Sequence, residues 1–256
     1  MRNLSESNPS ISTPKYTFWM GLGLAFFSGL IGWAFGKGAG HGDIFSENII
    51  EMSGLFLCSL AVLASLIPLI FKWDWKSKYF GAVCFPFSTV SLIGLYPAIC
   101  FYYYGTCSIY IRIFFLLANM GLIFWWCRRF FVLYKKIMAN PEFFSLLYAE
   151  EADAYYYLQK NDVLLIEKKL HVAQFPTGIL TWGPMLSAIF LLPFSSAVSK
   201  FAGIPFIHIF LAIFALPIEL MCLGFVSRGF LIFFYYPNFL YRRTGKSVYV
   251  DLTSKR

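Results

Sequence analysis

Glu219 is the residue least suited to its surroundings. It stands in a long apolar run, two residues after Pro217. An ionised, unpaired carboxylate in such a setting costs at least a few kcal/mol. A carboxyl there either marks an ion or proton path or is hydrogen-bonded to a neighbouring helix as structural glue. Asn119, Arg112 and His208 also stand among apolar neighbours. Asn119 and Glu219 each fall about twelve residues from the outer start of their helices, which makes the amide the candidate partner. Arg112 lies roughly 10 Å nearer the outer surface, too far for a direct salt bridge but close enough for its long side chain to snorkel to headgroups. His208 is near the outer end of its helix, with no second ligand at its level. Metal and haem sites need several convergent ligands, so no metal and no cofactor is expected.

Other constellations fail on spacing. Gly245-Lys246-Ser247 looks like the end of a Walker loop, but the upstream glycine position holds Leu240. Gly36 to Gly42 is glycine-rich but adjoins no strand. No zincin helix and no nucleophile elbow is present. Glu150, Glu151 and Asp153 form an acidic cluster whose default is a solvated face. His41, Asp43, Glu47 and Glu51 are acid–base groups near the outer surface, in no recognised arrangement. No catalytic residue is assigned.

Small residues recur at helical spacing in the first apolar run. Gly21, Ala25 and Gly29 make one stripe, and Ser28, Gly32 and Gly36 another. Small-x-x-x-small patterns let helix backbones approach closely in lipid, where packing drives association. Intramolecular packing is the favoured use, with an oligomer or partner contact as the alternative.

The elements that must position these groups are membrane helices. The 256 residues are 59% hydrophobic and 13% charged, with mean hydropathy +0.65. Soluble domains carry about 25% charged residues, so a water-soluble fold could not hide this much apolar surface. The net charge of +8 belongs to loops facing anionic headgroups rather than to nucleic-acid binding. None of the six cysteines makes a C-x-x-C pair. Buried thiols behave as small hydrophobes, although Cys100 and Cys107 flank a short turn where a disulfide is conceivable. Gly38-Ala39-Gly40 imitates a signal-peptide cleavage site, but the long apolar run before it is retained as a span.

A span needs about 20 residues. Charge-free stretches place the first at Tyr16–Gly36, with Trp19 and Trp33 as interface anchors, and the second at Met52–Phe71. The stretch between Lys78 and Arg112 is too long for one span and too short for two. The third span is therefore expected at Tyr79–Tyr103. The fourth starts near Cys107 and ends at Trp125-Trp126-Cys127, stopped by Arg128-Arg129. The fifth is expected at Gly178–Val198, kinked by Pro184 and Pro193, and the sixth at Ile204–Ser227. The run from Gly229 to Tyr241 is too short to cross again, and either extends the helix or lies along the interface.

Lysine and arginine alternate between rich and poor loops. They are dense around Lys72–Lys78, between Arg128 and Lys169, and after Arg228. They are sparse near Lys37, Gly105 and Lys200. This alternation places both termini in the cytoplasm of an inner-membrane protein. The expected organisation is a cytosolic tail (1–15), transmembrane helices one to four (16–134), a cytosolic loop (135–176), helices five and six (177–228) and an interfacial or cytosolic segment (229–256). The fold class is an all-α polytopic membrane protein whose small cytosolic part can hold β-hairpins. One hairpin would join Tyr155–Leu158 to Val163–Leu170 through Asn161-Asp162. The other would join Phe239–Arg243 to Ser247–Leu252. The two could pair into one sheet, the alternative being a helical extension and a loose tail.

The leading functional expectation is non-enzymatic. It is a multi-pass inner-membrane protein acting through protein–protein interaction, with the bilayer and a protein partner or second copy as its contacts. A subunit of a secretion or conjugation apparatus fits, as does an immunity-type protein against a membrane-targeting toxin. A small transporter or channel with a polar path through Glu219 is the alternative, and a membrane enzyme acting on lipid is the third.

Overall fold

In a computed structural model of the chain, the described residues are 19, 22–31, 33–34, 52, 55–56, 58–60, 62–63, 66–70, 76–158, 167, 169–170 and 175–251. They are 82% helical and include a small sheet. Among the described residues, three helices are long and apolar enough to cross a membrane: Ile109–Ala139, Ile179–Ala202 and Leu216–Thr244.

The described part of the first expected span is helical, with Leu22–Ile31 as α1. The described residues of the second are largely helical as well, closing with α2 (Ile67–Ile70). The third expected span is one helical run of mixed type. A short α3 (Ser77–Gly81) passes into a 3₁₀ segment (Ala82–Ser91) and then α4 (Leu92–Tyr104). Pro86 and Pro97 lie inside this run. Each removes a backbone donor, which weakens the regular α ladder.

The fourth helix runs past the end of its expected apolar span, as the helical-extension alternative has it. α5 runs unbroken from Ile109 to Ala139, straight through Arg128-Arg129. Arginine and lysine are good helix formers, so these residues bound the apolar stretch without ending the helix. The helix stops at Asn140-Pro141, where the Asn140 side chain accepts from the Glu142 N–H at 2.9 Å and Pro141 opens α6 (Pro141–Leu147).

The chain continues through β1 (Tyr148–Glu150) and β2 (Ala154–Leu158). α7 (Ile179–Leu191), a 3₁₀ turn at Leu192–Phe194 carrying Pro193, and α8 (Ser195–Ala202) follow. Then come α9 (Phe206–Phe214) and α10 (Leu216–Phe230). A π-helical turn (Leu231–Tyr235) joins α10 to α11 (Tyr236–Thr244). The segment beyond Arg228 thus extends the sixth helix. Gly245, at φ 73°, ends α11 in the left-handed conformation, and β3 (Ser247–Asp251) follows.

The sheet has the order β1-β2-β3. β1 and β2 form an antiparallel hairpin with Tyr148 opposite Tyr157, and β3 adds parallel to β2 with Tyr249 beside Tyr156. One small sheet therefore exists, but not from the pairings expected. Phe239–Arg243 is helical, because it continues the helix before it. Glu167 and Lys169 are helical too, while Asn161-Asp162 and Val163–Ile166 lie outside the described residues.

Connections gather at two ends. Lys76 bridges to Tyr249, so the segments after the second, fourth and sixth expected spans meet at the sheet. At the other end the Thr106 N–H donates to the Ala202 carbonyl at 2.8 Å, joining the turns after the third and fifth. Gly203, at φ 70°, is essential there, since a Cβ on it would collide with Thr106. The main core lies at the sheet end. It joins Trp126, Phe130 and Tyr134 of α5 to Leu220 and Leu231 of the last helix and to Tyr148, Tyr157 and Val250 of the strands.

One hydrogen bond explains how the π-turn is tolerated. The Tyr236 N–H donates to the Leu231 carbonyl, an i to i−5 bond. The next bond in that register would run from residue 237 to Ile232, but Pro237 has no N–H. The buried Tyr148 hydroxyl supplies the missing donor, reaching the Ile232 carbonyl at 2.6 Å. Tyr148→Phe would strand a buried acceptor and is expected to lower stability by about 1–3 kcal/mol. Thermal unfolding in mild detergent measures it, and a midpoint equal to that of the unaltered protein would show the bond to be idle.

Candidate functional site: two buried carboxylates

Glu219 is completely buried in the first turn of α10. Its Oε1 accepts from the Leu95 N–H at 2.6 Å, with the Gly94 amide beside it. The approach depends on glycine: a Cβ on Gly94 would lie 2.9 Å from the Glu219 carboxyl carbon and from Oε1. The carboxyl therefore pins α10 to α4 through backbone amides. Its Oε2 has no hydrogen-bond partner among the described residues.

Asn119 is buried at 7% exposure, but its amide donates to the Phe115 carbonyl of its own helix at 2.9 Å. Matching depth did not make it the partner of Glu219. Arg112 donates from Nη1 to the Tyr102 carbonyl at 2.9 Å. That places a cation on the open carbonyl end of α4, where the helix dipole favours it. His208 is buried in the first turn of α9, its Nδ1 3.2 Å from the Pro205 carbonyl. These polar residues serve three different places and do not converge on one site.

Of the small-residue stripe, Ala25 and Gly29 are buried, and a Cβ on Gly29 would lie 3.1 Å from Cys58 Sγ. The first helix thus packs closely on the second through this stripe. Gly21, Gly32 and Gly36 lie outside the described residues, as do His41, Asp43, Glu47 and Glu51. Cys100 and Cys107 are buried free thiols.

A second carboxylate was not singled out by the sequence. Glu167 is fully buried, and its Oε1 accepts from Arg228 Nε at 2.8 Å and from the Tyr134 hydroxyl at 3.0 Å. The Arg228 guanidinium stacks 4.5 Å from the centre of the Phe130 ring, while Arg129 lies 4.1 Å over Trp126. Burial pushes the Glu167 carboxyl above its ordinary value, and Arg228 and the Tyr134 hydroxyl pull it back down. Three parts of the chain are tied here: α5, α10 and the segment before α7. Close packing frames the cluster, since a Cβ on Gly224 would stand 2.9 Å from Trp126 Nε1. The sequence signal was Arg228, a second charge, beside Glu219, in a largely apolar helix. Glu167 sits in a polar segment, where nothing distinguishes it.

The sheet itself is closed by an exposed contact. Lys246 Nζ donates to Glu150 Oε1 at 2.7 Å and to the Glu151 carbonyl at 3.0 Å. This contact holds the Glu150 carboxyl below its ordinary value and the Lys246 ammonium above.

Neither Glu219 nor Glu167 lines either of two cavities. One, of about 380 Å³, is apolar and lies between the first two helices at Ala25, Gly29 and Cys58. The other, of about 250 Å³, lies at the sheet end. Among the described residues no group of three or more His, Cys, Asp or Glu is placed to hold a metal. Comparisons of the chain with protein-family models, with curated proteins and with solved structures find no match.

Proposed function

We propose that this chain is a non-enzymatic, multi-pass inner-membrane protein that acts by binding another protein. The reading takes six spans and cytoplasmic termini, supported by the loop-by-loop basic alternation and by the meeting of alternate connections at the two ends of the molecule. The observation that carries it is the use made of the buried carboxylates. Both join elements of the fold, and neither lines either of the two cavities described above. An interaction surface is at hand in the Ile179–Ala202 helix. Only 11% of its apolar window is buried, with Ile179, Trp182 and Phe190 strongly exposed. A secretion or conjugation assembly and a membrane-targeting toxin are the partner classes that suit a small membrane protein of this kind.

Extraction of the tagged full chain in a mild detergent is expected to recover a second membrane protein in fixed stoichiometry. Trp182→Ala/Phe190→Ala should release it. Recovery of a lone monomer, with no crosslinked partner in intact membranes, would sink the reading. A transporter or channel is the second reading, favoured by the unpartnered Oε2 of Glu219. It requires Glu219→Gln to insert normally and abolish transport. A wild-type phenotype in that variant removes it.

A further inference from the structure

Glu219 fastens α10 to α4 with one of its two oxygens. Oε1 accepts from the Leu95 N–H at 2.6 Å, and the Gly94 amide lies beside the carboxyl. Oε2 is buried and meets no donor among the described residues. It faces Gly94, where a Cβ would stand 3.1 Å away, so its neighbour brings no side-chain donor. Leu216 and Leu220, on either side in the same helix, are buried with it. Among the described residues the buried ion pair is Glu167–Arg228, and Glu219 has no cation partner.

This one-sided arrangement bears on charge. An ionised carboxylate spreads its charge over both oxygens and accepts at each. One oxygen would then hold its share of the charge in a dry site with nothing to answer it, and a buried carboxylate so placed takes up a proton instead. The neutral acid fits what is observed. Its carbonyl oxygen takes the Leu95 N–H, and its hydroxyl oxygen is the one without a donor. A metal cation would need several convergent ligands, and among the described residues no group of three or more His, Cys, Asp or Glu is placed to hold one. A proton needs one oxygen. We propose that Glu219 is a proton-binding site within the membrane: the folded protein carries it as the neutral acid, with the proton on Oε2 and Oε1 bonded to α4. A transport path through Glu219 would move this proton, but the site stands without one. The bound proton is read in the resting protein and transport in a flux assay, so each can fail alone.

The test is infrared spectroscopy of the full chain at neutral pH, in alkyl-maltoside micelles with choline as the added cation. Surface carboxyls are ionised there, and the detergent has no carbonyl to overlap. The unaltered protein is expected to show a carboxylic-acid C=O stretch above the amide I band. Glu219→Gln should lose it, and Glu167→Gln, which removes the other buried carboxyl, should keep it. Gly94→Ala, which pushes the carboxyl off the Leu95 amide, should shift the band to higher frequency as the carbonyl oxygen loses its hydrogen bond. Absence of the band from the unaltered protein, or its survival in Glu219→Gln, would overturn the proposal. A band unmoved by Gly94→Ala would do so even if Glu219→Gln failed to fold. Loss of the band in sodium chloride, but not in choline chloride of the same strength, would assign the site to a sodium ion and overturn it too.

Discussion

Arg228→Met is expected to destabilise the protein by about 3–5 kcal/mol, because it leaves the Glu167 carboxylate buried without its cation. Glu167 is 0% exposed, and Arg228 Nε lies 2.8 Å from its Oε1. Desolvation and ion pairing nearly cancel in an intact buried pair, so the cost comes from breaking one side. Glu167→Gln should therefore rescue Arg228→Met, since the amide oxygen still accepts from Tyr134 and no charge remains. The double variant is expected within about 1–2 kcal/mol of the unaltered protein. Denaturant unfolding in micelles measures all three. A single variant as stable as the parent, or a double variant no better than the single, would show that the pair is not what holds the segment before α7 against the helix ends.

The same cluster sets a pH dependence. Burial raises the Glu167 carboxyl above its ordinary value of 4.5, so the folded protein holds this proton more tightly than the unfolded chain. The stabilisation is full below 4.5 and is lost as pH rises through the elevated folded value. Removing Arg228 removes the main pull that lowers this value, which extends the window upward. The deficit of Arg228→Met should therefore narrow on acidification. A deficit independent of pH would mean that it arises from lost packing against Phe130 rather than from charge.

Charge-free apolar length made the three longest helices legible, because a helix needs about 20 apolar residues to cross a bilayer core. The ends of the helices were less legible. Arg128-Arg129 marks where apolar surface stops, yet nothing in those residues opposes helix, so α5 continues until Asn140-Pro141. Tyr155–Leu158 was recognised as a strand from its local pattern, but its neighbours are Tyr148–Glu150 and Ser247–Asp251. The second of those partners is remote in sequence, and pattern alone does not encode remote pairing. Glu219 was conspicuous as a carboxyl among apolar residues. Its partner was invisible, because the donor at Leu95 is a backbone amide and carries no side-chain signature. Depth matching searched among side chains and so arrived at Asn119. Glu167 shows the opposite failure: it looks ordinary in a polar segment and becomes unusual only when folding buries it against Arg228.

The Gly94–Glu219 contact allows a prediction in which the sign of an effect reverses. A Cβ on Gly94 would lie 2.9 Å from the Glu219 carboxyl. The carboxyl is the free end of its side chain, so it can retreat, but only by giving up the 2.6 Å bond from the Leu95 N–H. Gly94→Ala is therefore expected to lower stability by about 1–3 kcal/mol, the cost of leaving buried polar groups unmatched. In a Glu219→Ala background there is no carboxyl to displace. Glycine inside a helix is less favourable than alanine by about 0.5–1 kcal/mol, so Gly94→Ala should there become mildly stabilising. The coupling expected from the cycle is about 1.5–4 kcal/mol, adding the lost contact to the recovered propensity. Additive effects would mean that the carboxyl does not use the space beside Gly94, and Glu219 would then be open for another role. A reversed sign would mean that the most conspicuous acid in the sequence acts as a fastener between α4 and α10, and that a proton path, if one exists, must share a group already committed to the fold.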